Sequence, residues 1–287
     1  MRSEEEIFSL ILDVAKKDDR IRAVVMGGSR ANPEIPKDRY QDYDISYYVT
    51  DMGPFFNNSG WAVEKFGKPL IMQMPEAMRY PEGDGNFVYL MIFPDGIRID
   101  LGVIFTKFQN TGEPAVVLLD KDNGMEFVPQ LPPPNGAIWH IKPPSALFFS
   151  SCCNNFWWCL NNVAKGIARD ELPYVMYMIN DVVRPELDDM VNWYIGSTKG
   201  FSLSTGKNGK FIKRYLPPDI YESYVKTYFS GKCTNIWAPV YAMGELFHSL
   251  ALKVAGNFDF VYRQDEEDAM VQYMRMVQIE QKNDKVP

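Results

Sequence analysis

Gly27-Gly28-Ser29-Arg30, then Asp42-Tyr43-Asp44, and much later Ile97-Arg98-Ile99-Asp100-Leu101 are the stretches on which the reading of this 287-residue chain turns. Each lies on, or at the exit of, a segment whose pattern predicts a strand. Residues 21–26 form an apolar run that ends in the glycine pair, and residues 43–50 are rich in aromatic and β-branched side chains. Residues 87–93 and 97–105 flank Pro94-Asp95-Gly96, a turn signal that predicts a hairpin. Strand residues two apart share a face, so Asp42 and Asp44 present paired carboxylates while Tyr43, Ile45, Tyr47 and Val49 line the other side. On the later strand, Ile97, Ile99, Leu101 and Val103 form the apolar face and leave Arg98 and Asp100 opposite.

Outward from these strands the chain changes character. Ile7, Leu10, Ile11 and Val14 recur at helical spacing and predict an amphipathic helix over 4–17. Residues 130–136 are proline-rich, and with Pro143-Pro144 they can continue neither a helix nor a central strand, so the domain boundary is expected there. Ser145 then has the chemistry of a helix cap, and helical patterns follow over 145–168, 171–195, 217–230, 236–255 and 264–282. The expected class is α+β, with a mixed-sheet domain over 1–134 and a helical bundle over 135–287.

Composition narrows the function. The chain is 46% apolar, 14% aromatic and 23% charged, the profile of a globular protein. A formal net charge of −7 repels polyanions, so neither a nucleic-acid surface nor an anionic-membrane surface is expected, whereas a small cationic substrate suits that field. Cys152, Cys153, Cys159 and Cys233 lack metal-ligand spacing and are expected to be free, mostly buried thiols. His140 and His248 stand far apart without a triad signature, and His140 is expected to pack between domains. Phe156-Trp157-Trp158 reads as helix core. The acidic start, Met1-Arg2-Ser3-Glu4-Glu5-Glu6, has neither the basic nor the apolar region of a signal peptide, and the apolar stretch over 147–160 is too short to span a bilayer. A cytoplasmic location is expected.

If the strands bearing Asp42, Asp44 and Asp100 are neighbours, their carboxylates converge. Clustered carboxylates repel unless a hard cation sits among them, and magnesium takes a few carboxylates together with phosphate oxygens. The glycine pair permits close backbone approach to a phosphate, and the N-terminus of a following helix offers N–H donors. Ser29 adds a hydroxyl and Arg30 a cationic fork. Singly, each of these features is common on surfaces; in this order and strand context they point to a metal–nucleotide.

Gly-Ser, then Asp-x-Asp, then a third Asp on a later strand resembles the polymerase-beta-like nucleotidyltransferase superfamily. Over nearly the whole chain, Met26-Gly27-Gly28-Ser29-Arg30-Ala31-Asn32, Gln41-Asp42-Tyr43-Asp44-Ile45, Arg98-Ile99-Asp100-Leu101 and Gly206-Lys207-Asn208-Gly209-Lys210 resemble the aminoglycoside 6-adenylyltransferases that inactivate streptomycin. The resemblance implies magnesium-dependent transfer of AMP from ATP to the 6-hydroxyl of streptomycin, with release of pyrophosphate. It implies magnesium on Asp42 and Asp44. Asp100 would be general base, with metal contact as well. Gly28, Ser29 and Arg30 would meet the nucleotide phosphates, with Lys207, Lys210 or Lys213 reaching the triphosphate from the helical domain. For the cationic acceptor, the candidates are Glu82, Asp84, Asp181, Asp188 and Trp193, because amino and guanidinium groups want carboxylates and aromatic faces. The expected partners are ATP and a cationic aminoglycoside, the assembly a monomer or small homo-oligomer. Two other readings stay open: a nucleotidyltransferase that modifies a protein, as in a toxin–antitoxin pair, and a non-catalytic ATP-binding module.

Overall fold

In the computed structural model, residues 2–79, 85–105, 115–123, 137–229 and 236–283 are described. In chain order the first unit contains helix α1 (Glu4–Lys17), strand β1 (Ile21–Met26), the one-turn helix α2 (Gly28–Ala31), β2 (Tyr43–Val49), helix α3 (Ser59–Phe66), β3 (Ile71–Gln73), β4 (Phe87–Ile92), β5 (Arg98–Phe105) and β6 (Val116–Asp120). The strands form one sheet in the order β3-β4-β5-β2-β1-β6. Its central pair, β2 and β5, runs parallel, and the other neighbours are antiparallel, so the sheet is mixed.

Local chemistry accounts for these elements. The hydroxyl of Ser3 accepts from the Glu6 amide at 3.1 Å while the Glu6 carboxylate accepts from the Ser3 amide at 2.6 Å, a reciprocal cap that starts α1. Ile7, Ile11, Val14 and Ala15 are the buried face of that helix. They pack in one core with Tyr43, Ile45, Tyr47, Ile99, Leu101 and Val103 of the two central strands. At the other end Lys121 Nζ donates to the carbonyls of Ala15 and Asp18, at 2.7 and 2.8 Å, and satisfies acceptors the helix leaves open. The predicted hairpin forms between β4 and β5: Phe93 N donates to Ile97 O at 2.8 Å, and Gly96 turns at φ +80°.

The chain divides into two compact units, Met1–Ile138 and Trp139–Pro287. The second is helical: α4 (Ala146–Ala168), α5 (Leu172–Tyr177), a π-helical segment (Met178–Val183), α6 (Arg184–Lys199), α7 (Ile212–Tyr215), α8 (Pro218–Lys226), α9 (Trp237–Phe258) and α10 (Gln264–Asn283). Ser145 caps α4 by accepting from the Phe148 amide at 3.2 Å. Phe156 and Phe247 stack at 3.8 Å between α4 and α9 at the centre of this core. Of the predicted aromatic cluster, Phe156 and Trp157 are buried as expected, but Trp158 is exposed because one turn of helix cannot put three consecutive residues on one face. Cys152, Cys153 and Cys159 are buried free thiols, and Cys233 lies outside the described residues. Among the described residues no helix is long and apolar enough to cross a membrane.

Candidate active site

Parallel pairing of β2 with β5 sets Asp44 directly opposite Asp100. Registered neighbours in a sheet point to the same face, so these carboxylates stand side by side, opposite the face on which Tyr43, Ile45, Ile99 and Leu101 enter the core. β2 begins at Tyr43, the start the sequence predicts, so Asp42 lies just ahead of the strand. It nevertheless joins the cluster, because Arg98 Nη1 is 3.6 Å from its Oδ2.

Arg98 is the cation of this cluster. Its Nε and Nη2 donate to the two oxygens of Asp100 at 2.7 and 2.6 Å, a bidentate pair along one face of β5. Burial pushes the Asp42 carboxyl above its usual range and Asp100 adds to that push, while Arg98 and Arg30 oppose it. The hydrogen bond to Asp100 holds the Arg98 guanidinium above its ordinary value, and the charges of Asp42 and Asp44 act in the same direction.

The glycine turn meets these carboxylates at close quarters. Gly27 N donates to Asp44 O at 2.8 Å, fixing the exit of β1 against β2. Gly28 has φ +63°, and a Cβ there would fall 1.8 Å from Asp44 Oδ2. The residue is glycine for two independent reasons, backbone handedness and space. Ser29 follows, half-buried, with its carbonyl accepting from Gln41 Nε2 at 3.4 Å. The helix expected to extend from this turn is a single turn, ending where Asn32 is driven to an extended ψ of 110° before Pro33. Four residues sum to only a small dipole, so any anion here would be met by individual N–H groups.

Arg30 is built into the scaffold. Its Nε and Nη2 donate to the carbonyls of Asp42 and Gln41 at 3.1 and 3.0 Å, its Nη1 lies 3.3 Å from Glu4, and its plane stacks 3.9 Å from the Tyr43 ring. The guanidinium thus clamps the loop that carries Asp42. Below it, a cavity of about 270 Å³ is lined by Arg30, Asp38, Tyr40, Asp42 and Arg98 among others.

Carboxylate oxygens without histidine or thiolate form a hard donor set, and a guanidinium already stands among them as a cation. That chemistry fits magnesium, which takes one or two carboxylates together with substrate phosphates. Among the described residues no three acids are drawn together closely enough to hold an ion by themselves.

A sequence profile described as streptomycin adenylyltransferase matches residues 1–277. The chain belongs to that family. It is, by that membership, a nucleotidyltransferase. An aminoglycoside 6-adenylyltransferase of Bacillus subtilis (strain 168) is 40% identical over 280 residues, covering 95% of this chain and 97% of that protein. One from Campylobacter jejuni is 38% identical over 267 residues, covering 91% of each. A crystal structure of an aminoglycoside 6-adenyltransferase from Bacillus subtilis covers 97% of this chain and 99% of that one, at 35% identity and a TM-score of 0.48.

The remaining candidates of this family member fall elsewhere. Lys207, Lys210 and Lys213 are exposed in the second unit, the first two on a turn shaped by Gly206 and Gly209 at positive φ and Lys213 on α7. Lys210 faces the Phe211 ring at 5.1 Å and Lys213 the Tyr221 ring at 5.5 Å. Asp181 is exposed on the π-helical segment. Asp188 is half-buried and accepts from Tyr224 OH at 2.8 Å; burial raises its carboxyl, against the opposing effects of that bond and of Arg184. Trp193 is buried in the helical core, 6.5 Å from the Phe149 ring. Glu82 and Asp84 lie outside the described residues. Sequence reasoning missed the structural use of Arg30 and the reach of Arg98 to Asp42. The second had a signal, since Arg98 shares a strand face with Asp100.

Proposed function

We propose that this protein transfers the adenylyl group of ATP to a hydroxyl of an aminoglycoside, the 6-hydroxyl of streptomycin, releasing pyrophosphate and conferring resistance from the cytoplasm. The carrying observation is the Asp44–Asp100 register with Gly28 packed against Asp44. It brings neighbouring carboxylates together beside a glycine turn whose backbone approaches them closely. The matched family and the activity by which its relatives are named support the aminoglycoside as acceptor. The acidic chain favours such a cationic ligand.

Magnesium held by Asp42 and Asp44 with phosphate oxygens would neutralise charge on the triphosphate. The protein's own contribution is placement. Gly27 and Gly28 let the backbone approach the nucleotide, with Ser29 offering a hydroxyl, while Arg30 fixes the loop bearing Asp42. The acceptor oxygen attacks the α-phosphorus in line, a new O–P bond forms, and the bond to the β-phosphate bridging oxygen breaks with its electron pair leaving on pyrophosphate. Asp100 Oδ takes the hydroxyl proton as general base.

The test is mass spectrometry of streptomycin, kanamycin and spectinomycin after incubation with the protein, ATP and magnesium. A streptomycin product heavier by one adenylyl group is expected. Labelling of protein in place of any antibiotic would favour the protein-modifying reading.

A further inference from the structure

Resting on the reading of this site as a metal–nucleotide site, we propose that Arg98 and the divalent cation are alternative partners of this acid cluster, with Asp42 shared between them, so that loading the metal exchanges one cation for the other. Arg98 is then a positioning residue that sets metal affinity and keeps Asp100 engaged until the exchange has taken place.

The geometry makes the two cations alternatives. The fork of Arg98 occupies both oxygens of Asp100 at 2.7 and 2.6 Å, and its remaining nitrogen lies 3.6 Å from Asp42. A guanidinium held there would stand within a few ångströms of a dication bound to the same cluster, and like charges at that separation repel. While Arg98 donates to both Asp100 oxygens, an acceptor hydroxyl would have to share them with the guanidinium. Asp100 is only 17% exposed, so it has little freedom to turn away, whereas Arg98 is 42% exposed on a long side chain. Arg98 also lines the cavity of about 270 Å³ beside the site, whose wall carries Asp38 and Tyr40. Arg2, Arg30, Lys37 and Arg39 line the same cavity beside Glu4 and Asp38, so the displaced guanidinium turns to solvent along its own exposed side rather than inward, and it does so without repacking the core. Between exchanges it offsets the mutual repulsion of acids that the sheet register forces together.

The probe is manganese(II), with the free ion counted by electron paramagnetic resonance at a fixed concentration of a non-hydrolysable ATP analogue, on the full chain. Wild type, Arg98→Gln, Arg98→Lys and Asp44→Ala are compared, each checked for folding by thermal melting. Competition predicts that Arg98→Gln binds manganese about fivefold more tightly, the scale of one partly exposed charge pair. Arg98→Lys, which keeps the charge, should return affinity close to wild type. Equal or weaker binding by Arg98→Gln, with binding still dependent on Asp44, overturns the exchange and leaves the metal site standing. Binding that Asp44→Ala leaves intact instead overturns the metal reading itself. A role for Arg98 in folding alone would change the melting temperature without tightening manganese.

Discussion

A methyl group added to Gly28 would stand 1.8 Å from Oδ2 of Asp44, so the glycine turn and the β2 carboxylate are fitted to each other with no spare volume. Gly28 also has φ +63°, where a side chain is strained. Gly28→Ala is therefore expected to displace Asp44. Misplacing a reacting group by about 1 Å costs on the order of 100-fold in rate. The steady-state kcat/KM should fall by that factor, while urea unfolding shows a loss of only about 1–2 kcal/mol.

The carboxylates should separate by role. Asp42→Ala and Asp44→Ala are expected to abolish turnover through loss of metal. Asp100→Asn should leave ATP–magnesium binding largely intact and suppress transfer by about 100-fold or more, the usual scale for losing a general base. Equilibrium binding of ATP with magnesium, set beside turnover for the three variants, checks the division. Unaltered turnover in Asp100→Asn would remove it as base.

Arg30 should behave as scaffold. Two hydrogen bonds to the carbonyls of Gln41 and Asp42 and a stack on Tyr43 are lost in Arg30→Ala. Leaving part-buried carbonyls without these donors predicts a stability loss of about 1 kcal/mol. Chemical denaturation measures it. A variant as stable as wild type but with a raised KM for ATP would instead make Arg30 a phosphate contact.

A pH effect follows from Asp95 in the β4–β5 turn. Hydrogen bonds from Arg2 hold its carboxyl well below the ordinary value of 3.8. A carboxyl depressed on folding adds stability that is present above the unfolded value and is lost as pH falls through the folded one. Asp95→Asn should therefore lower the urea midpoint at pH 7, by an amount corresponding to about 1 kcal/mol. The difference from wild type should shrink steadily as pH is lowered below about 4.

Much of the sheet was legible because alternation has a physical cause. Ile97, Ile99, Leu101 and Val103 can be buried on one face only if Arg98 and Asp100 take the other, and the structure has that register. The hairpin followed from Pro94-Asp95-Gly96 for the same kind of reason. β6 gave no such signal: Val116-Val117-Leu118-Leu119 is a short apolar run that fits either strand or helix. The pattern over 171–195 predicted one helix, but the chain passes through a π-helical segment immediately before Pro185. Proline has no N–H to donate and its ring crowds the preceding turn, which periodicity does not register. The use of Arg30 was hidden for another reason. Its partners are main-chain carbonyls, and no side-chain pattern records those.

The central claim is that the β2 and β5 carboxylates carry acceptor-dependent adenylyl transfer. Pyrophosphate release from ATP and magnesium, with and without streptomycin, in wild type and in Asp44→Ala, tests it most directly. The account predicts release by wild type only when streptomycin is present and none from Asp44→Ala. Release that ignores streptomycin, or that survives in Asp44→Ala, would contradict it.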